Sequence, residues 1–173
     1  MKKFELTSDF KMYLGMKLFR IKALVDFGNV KAGDLGGYIE REENLSHDGN
    51  AWVSGDALVS GNALVSGSAR VSGSACVSKN ACVSGSARVS KNACVTENAD
   101  ILWITGLGTV HRTTTAFRTP DGIRIVCGCF FGDLGQFRRQ VKNTRTGKVQ
   151  EEYLKFAELV EIYFGKERVK EEE

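Results

Sequence analysis

Histidine is scarce in this chain: 173 residues hold two, His47 and His111. Structural zinc needs more ligands at finger-like spacing, so no metal site is expected. Long apolar runs are also missing. No stretch approaches the roughly 20 residues of a membrane span, and MKKFELTSDF lacks the apolar block of a signal peptide. We therefore expect no membrane partner and a cytoplasmic location. The cysteines number five, an odd count. With no secretory context, this points to free thiols in a reducing compartment. Charge is nearly balanced at +3, too little to predict binding to long nucleic acid. Any electropositive site must come from local arrangement. There is no GxSxG elbow and no phosphate loop of the nucleotide-hydrolase type. Nothing calls for a cofactor.

What is present is a repeat. An alanine falls on each sixth residue from Ala51 to Ala99, and a valine does so from Val53 to Val95. The decorations recur at a longer spacing. The run ALVSGSARVSGSACVSKN from Ala63 is followed by ACVSGSARVSKNACVTEN from Ala81, so the arginines match only every eighteen residues. A coil of eighteen residues with three sides explains both periods. Within each hexad, alternation puts Ala and Val on the inner face of a short strand and the variable residue and Ser outside. The two residues after Ser make a corner, which needs Gly or Asn to tolerate positive φ. Where the first corner residue is not Gly, the second is Asn, as in Lys79-Asn80, Lys91-Asn92 and Glu97-Asn98. The two positions are expected to share one conformational requirement.

Three regions follow. Residues 1–50 form an N-terminal β cap. In it, Phe19, Ile21, Ala23 and Val25 alternate, while Ile39 and Leu45 fall in the alanine phase of the later repeat. Residues 51–104 are the solenoid. Residues 105–173 form a small α+β domain: a hairpin turning at Thr119-Pro120-Asp121-Gly122, then two amphipathic helices. Leu134, Phe137 and Val141 mark the first helix; Tyr153, Phe156, Val160 and Tyr163 mark the second, with Gly165 as its stop. The tail KERVKEEE is expected to be solvated. This region should pack on the solenoid end or on a neighbouring subunit. The fold class is mainly β.

The hexad resembles that of hexapeptide-repeat proteins. The resemblance implies a left-handed triangular parallel β-helix and a homotrimer or higher homo-oligomer. GDLGGYIEREENLS and TTTAFRTPDGIRIVCGCFFG resemble segments of phage and prophage proteins with the same three-part layout. Some phage-borne β-helix proteins of this shape are thought to act as sponges for nucleotide immune signals. On that resemblance, a phage-encoded chain would work in the cytoplasm of the host bacterium. It would sequester a cyclic nucleotide or a related phosphate-bearing small molecule and so counteract anti-phage defence.

Sorting the outward residues by eighteens gives three columns. One holds Leu58, Cys76 and Cys94; one holds Leu64, Cys82 and Asp100; the third holds Trp52, Arg70 and Arg88, with Ser72 and Ser90 beside them. Parallel strands lie about 4.8 Å apart. Arginines stacked at that spacing repel by roughly 0.8 kcal/mol in water. A bound phosphate would relieve this, since guanidinium forks and serine hydroxyls are its donors. Tryptophan could take a guanidinium or stack a base. A second donor-rich cluster, Arg112, Thr114 and Arg118, lies on the hairpin strand. The bland alternative is a solvated basic face and an ordinary threonine-rich strand.

Two other readings stay open. One is a structural or polymer-forming solenoid. The other is a hexapeptide-repeat acyltransferase using His111 as base. No histidine sits among the regular hexads, which moves the expectation from catalysis toward capture. Cys127 and Cys129 show no base beside them and are read as packed thiols.

Overall fold

The computed structural model describes residues 1–165, so the tail KERVKEEE lies outside the described residues. The N-terminal cap begins with a hairpin, β1 (Phe4–Tyr13) and β2 (Met16–Ala23), paired antiparallel. Strand β3 (Leu35–Ile39) adds to β2 and hands the sheet over to the repeat. The repeat then supplies two-residue strands: β4 (Trp52–Val53), β5 (Leu58–Val59), β6 (Leu64–Val65), β7 (Arg70–Val71), β8 (Cys76–Val77), β9 (Cys82–Val83), β10 (Arg88–Val89) and β11 (Cys94–Val95). They stack in parallel as a β-solenoid of about three turns. Its ladders are β3-β5-β8-β11, β4-β7-β10 and β6-β9.

The core is what the hexad demands. Each alanine from Ala51 to Ala93 and each valine from Val53 to Val95 is buried. Full burial of one such valine contributes about 2 kcal/mol. Ile39 and Leu45 are buried too, but their alanine phase is not kept: Ile39 pairs with Val59 and Leu45 bridges to Val65. The corner Ser46-His47-Asp48-Gly49-Asn50 has two residues more than the later ones. Everything before it is therefore shifted into the valine position.

The corners also differ from expectation. Positive φ belongs to the first corner residue throughout, including Lys79 (φ 53°) and Lys91 (φ 61°), and not to the asparagines after them. A Cβ built on Gly73 would sit 2.8 Å from the Lys91 nitrogen, and one on Gly61 3.1 Å from the Lys79 nitrogen. Each corner Cβ thus faces the corner of the next coil. Glycine is demanded inside the stack by both φ and contact, and lysine is accepted only where the last turn ends. Glu97, at φ −142°, has already left the pattern and opens a 3-10 turn, Asn98–Asp100.

After the repeat comes an antiparallel meander of β12 (Ile101–Leu107), β13 (Arg112–Thr119), β14 (Gly122–Cys127) and β15 (Phe130–Gly132). The expected hairpin is β13–β14, with Thr119 opposite Gly122. Residues 101–104 belong to the meander rather than to a ladder. One side of this sheet, with Phe117 and Val126, closes the solenoid core of the same chain. The other, with Ala116 and Ile125, packs on helices α1 (Leu134–Thr144) and α2 (Gly147–Gly165) through Phe137, Val141, Phe156 and Val160. Asp133 caps α1, accepting from the Gln136 amide at 2.7 Å. No helix among the described residues is long and apolar enough to cross a membrane.

Gly73→Ala should lower stability by about 2 kcal/mol, from αL strain plus the contact with Lys91. Lys91→Gly should leave stability within about 0.5 kcal/mol of the parent. Urea denaturation of the two variants checks this; equal losses would refute the stacking account of the corners.

Candidate functional site

The ladder β4-β7-β10 places Trp52 beside Arg70 and Arg70 beside Arg88. Its backbone holds them there, with the Trp52 amide donating to Ala69 O at 3.0 Å and the Arg70 amide to Ala87 O at 2.9 Å. The inner valines are locked in the core, so the arginines can only point outward. Arg70 is half-buried and Arg88 exposed. They open into a cavity of about 360 Å³ lined also by Asn29, Asn50, Ser68, Ser86, Arg112 and Thr113. The hairpin arginine therefore meets the arginine column within one chain.

Each wall has a distinct origin. Gly28 and Asn29 belong to a tight turn closed by the Phe27–Val30 bridge. A Cβ on Gly28 (φ +52°) would lie 3.0 Å from Arg70 Nη2, so the loop backbone rests on that guanidinium. On the opposite wall, Gly128 at φ +59° lets Arg112 Nη1 approach closer than any Cβ would permit. The Arg88 amide donates to Thr115 Oγ1 at 3.1 Å, which ties β10 to β13 beside the cavity.

Among the described residues, Arg20, Arg118 and Arg138 have carboxylate partners, whereas Arg70, Arg88 and Arg112 have none. A fourth cation stands behind them. Lys3 is buried, and its Nζ donates to Ala51 O at 3.0 Å and Gly49 O at 3.4 Å, on either side of Asn50. Burial lowers the Lys3 pKa to about 8; Asp48 opposes this, and Arg70 adds to it.

Several expected site residues lie elsewhere. Trp52 is 4 % exposed and packs edge-on against Phe27 with ring centroids 5.4 Å apart, so it has no free face for a base. Its roof is the N-terminal loop, which a column of repeats cannot reveal. Ser72 and Ser90 are half-buried at the far end of their strands; Ser68 and Ser86, at the near end, line the cavity instead. Thr114 is fully buried and donates to Cys127 Sγ at 3.2 Å, leaving its neighbour Thr113 to face the cavity. Arg118 pairs through Nε with Asp100 Oδ1 at 3.1 Å and donates through Nη2 to Phe164 O at 3.3 Å. Six residue steps along the strand separate it from Arg112, about 20 Å. Asn29, Asn50 and Gly128 were missed. Ser68 and Ser86 could have been found, since they stack on the same spacing as the arginines.

The histidines are both away from this cavity. His47 Nδ1 accepts from the Lys3 amide at 3.1 Å, its Nε2 lies 2.6 Å from Glu42 Oε1, and its ring stacks on Phe4. His111 is exposed in a turn at φ +49°. No group of three His, Cys, Asp or Glu residues among those described is placed to hold a metal ion. No protein-family model matches the chain, and no curated protein matches it either.

Asp100 is 1 % exposed and also accepts from the Thr96 and Glu97 amides. Arg118→Ala should destabilise the fold by about 2–3 kcal/mol by removing the charge beside a buried carboxylate. The drop in urea midpoint measures it; an unchanged midpoint would return Arg118 to the list of free cations.

Proposed function

We propose that this protein is a non-catalytic binder that captures a small phosphate-bearing nucleotide in the Arg70–Arg88–Arg112 cavity. The observation that carries this reading is the convergence of three guanidiniums without a carboxylate partner among the described residues. Their mutual repulsion costs stability that a bound anion restores. Arginine forks match phosphate oxygens, and Ser68, Ser86, Asn29 and Asn50 add neutral donors. Among the described residues lining the cavity there is no carboxylate, imidazole or thiol. Those groups carry most acid–base and nucleophilic chemistry. That favours capture over conversion.

The finer reading follows the resemblance of the sequence. The solenoid is a left-handed triangular hexapeptide β-helix of eighteen residues per coil. The ligand is a cyclic nucleotide immune signal, taken up in the cytoplasm of a phage-infected bacterium. The working form is a homotrimer, supported by apolar residues left open on the β1–β2 hairpin, Phe10, Met12 and Leu14, which a second copy would cover.

Calorimetric titration with a panel of cyclic dinucleotides tests the proposal. Arg70→Glu and Arg88→Glu should each weaken binding by about 100-fold or more, because a charge-assisted pair is lost and a repulsion added. The ligand should be recovered intact after denaturation. Normal binding by both variants would overturn the reading.

Binding should also depend on pH. Lys3 is charged below about pH 8 and adds attraction for the anion; its charge is lost as pH rises through that value. Affinity should therefore fall between pH 7 and pH 9. The bound anion moves the step upward, because it favours the ammonium form. Lys3→Arg stays charged and should flatten the step in the same titrations.

A further inference from the structure

Behind Arg112 lies a second cavity, of about 190 Å³, lined by Cys127, Cys129, Phe130, Gln140, Arg145 and Tyr153, with Phe137 and Val141 at its floor. Arg112 lines both cavities, and the Cys127-Gly128-Cys129 turn runs between them, Gly128 on the phosphate side and the two cysteines on the other. The Arg112 guanidinium lies against Gly128, so the partition is one side chain and one backbone turn thick.

The two cavities differ in chemistry. The first is a ring of cations and small neutral donors. The second is built from aromatic rings: Phe130 meets Phe137 edge-on at 5.4 Å, and Phe137 meets Tyr153 at 6.1 Å. Its floor residues Phe137, Val141 and Tyr153 are buried, while Gln140 and Arg145 stand exposed at the rim. Tyr153 donates to Leu107 O at 3.3 Å, which fixes the ring from behind. A flat aromatic group with a polar edge suits such a place. Half-buried Phe130 offers an apolar ring contact above the closed floor of Phe137 and Tyr153, and the Gln140 amide carries both a donor and an acceptor for a base edge.

We infer that the second cavity is a nucleobase subsite, so that one ligand lays its phosphates against Arg70, Arg88 and the near side of Arg112 and its base behind Arg112. This rests on the proposed phosphate capture and narrows it. It requires a ligand in which a base and more than one phosphate oxygen are presented a single side chain apart. A nucleotide with a phosphodiester linkage meets that requirement, and a simple polyphosphate does not. It also gives the two cysteines a consequence without a reaction, since an occupied subsite shields them.

The test uses the full-length protein, inorganic triphosphate as the phosphate-only probe and a cyclic dinucleotide as the complete one. Affinity is read by calorimetry. Alkylation of Cys129 is read by peptide mass spectrometry, with the exposed Cys94 as internal control. Both probes should bind the parent protein. Only the dinucleotide should slow Cys129 alkylation, by several-fold, with Cys94 unchanged. Gln140→Trp, at an exposed helical position, fills the mouth of the subsite. It should weaken dinucleotide binding about 10-fold or more and leave triphosphate binding as it was. Retained dinucleotide affinity in Gln140→Trp, equal loss for both probes, or no protection of Cys129 overturns the subsite while phosphate capture stands. Failure of both probes to bind the parent protein overturns phosphate capture itself, and the subsite with it.

Discussion

A parallel strand turns alternate residues to its two neighbours, but in this solenoid the bonds that flank each two-residue strand run one way, their N–H groups donating toward the C-terminal end. Each coil donates to the next: Ser54 to Val71 O, Ser72 to Val89 O, each at 2.9 Å. The first coil is therefore left with more unclaimed acceptors than donors, and the last with more donors than acceptors. Buried groups of either kind cost free energy unless paired. The ends are therefore chemically opposite, and the caps match them. At the acceptor end, the Lys3 ammonium meets Gly49 O and Ala51 O, and the Asn44 amide meets Gly61 O and Ala63 O at 3.0 and 2.8 Å. At the donor end, Asn98 Oδ1 accepts from the Cys82 amide at 2.8 Å, Thr115 Oγ1 from Arg88, and the Asp100 carboxylate from Thr96 and Glu97. A cation and amides close one end; oxygens close the other.

The candidate site is a by-product of the same constraint. Parallel pairing in register sets Arg70 directly beside Arg88, with no freedom to stagger them. The caps that terminate the ladder then approach this column from both ends. The N-terminal loop brings Gly28 and Asn29, and the C-terminal sheet brings Arg112, Thr113 and Gly128. Lys3, recruited for the carbonyls, adds its charge beneath. Termination of the solenoid and construction of the arginine-lined cavity are one arrangement seen from two sides.

This explains what could be read from the sequence and what could not. Periodicity reports neighbours along a ladder, so the arginine column, the buried Val and Ala, and the helical faces of Phe137 and Phe156 were legible. Periodicity is silent on what covers a column. Trp52 looked like the exposed end of the cationic face, yet the turn around Phe27 roofs it. Arg112 and Arg118 looked alike on one strand, yet one faces the cavity and the other the buried Asp100. The corner rule was visible as a correlation of Gly with Asn, but its cause, a Cβ aimed at the next coil, exists only in the stack. The enlarged corner at His47 hid the true register of Ile39 and Leu45, because two added residues are invisible to a six-residue count.

The central claim is that three guanidiniums without a carboxylate partner among the described residues hold a phosphate-bearing nucleotide without altering it. The most direct measurement is mass spectrometry of small molecules released by denaturation, after the protein has been incubated with nucleotide extract from phage-infected bacteria and washed. The account predicts one intact phosphate-bearing nucleotide, retained in a fixed ratio to protein. Release of no such molecule, or of a hydrolysed product alone, would contradict it.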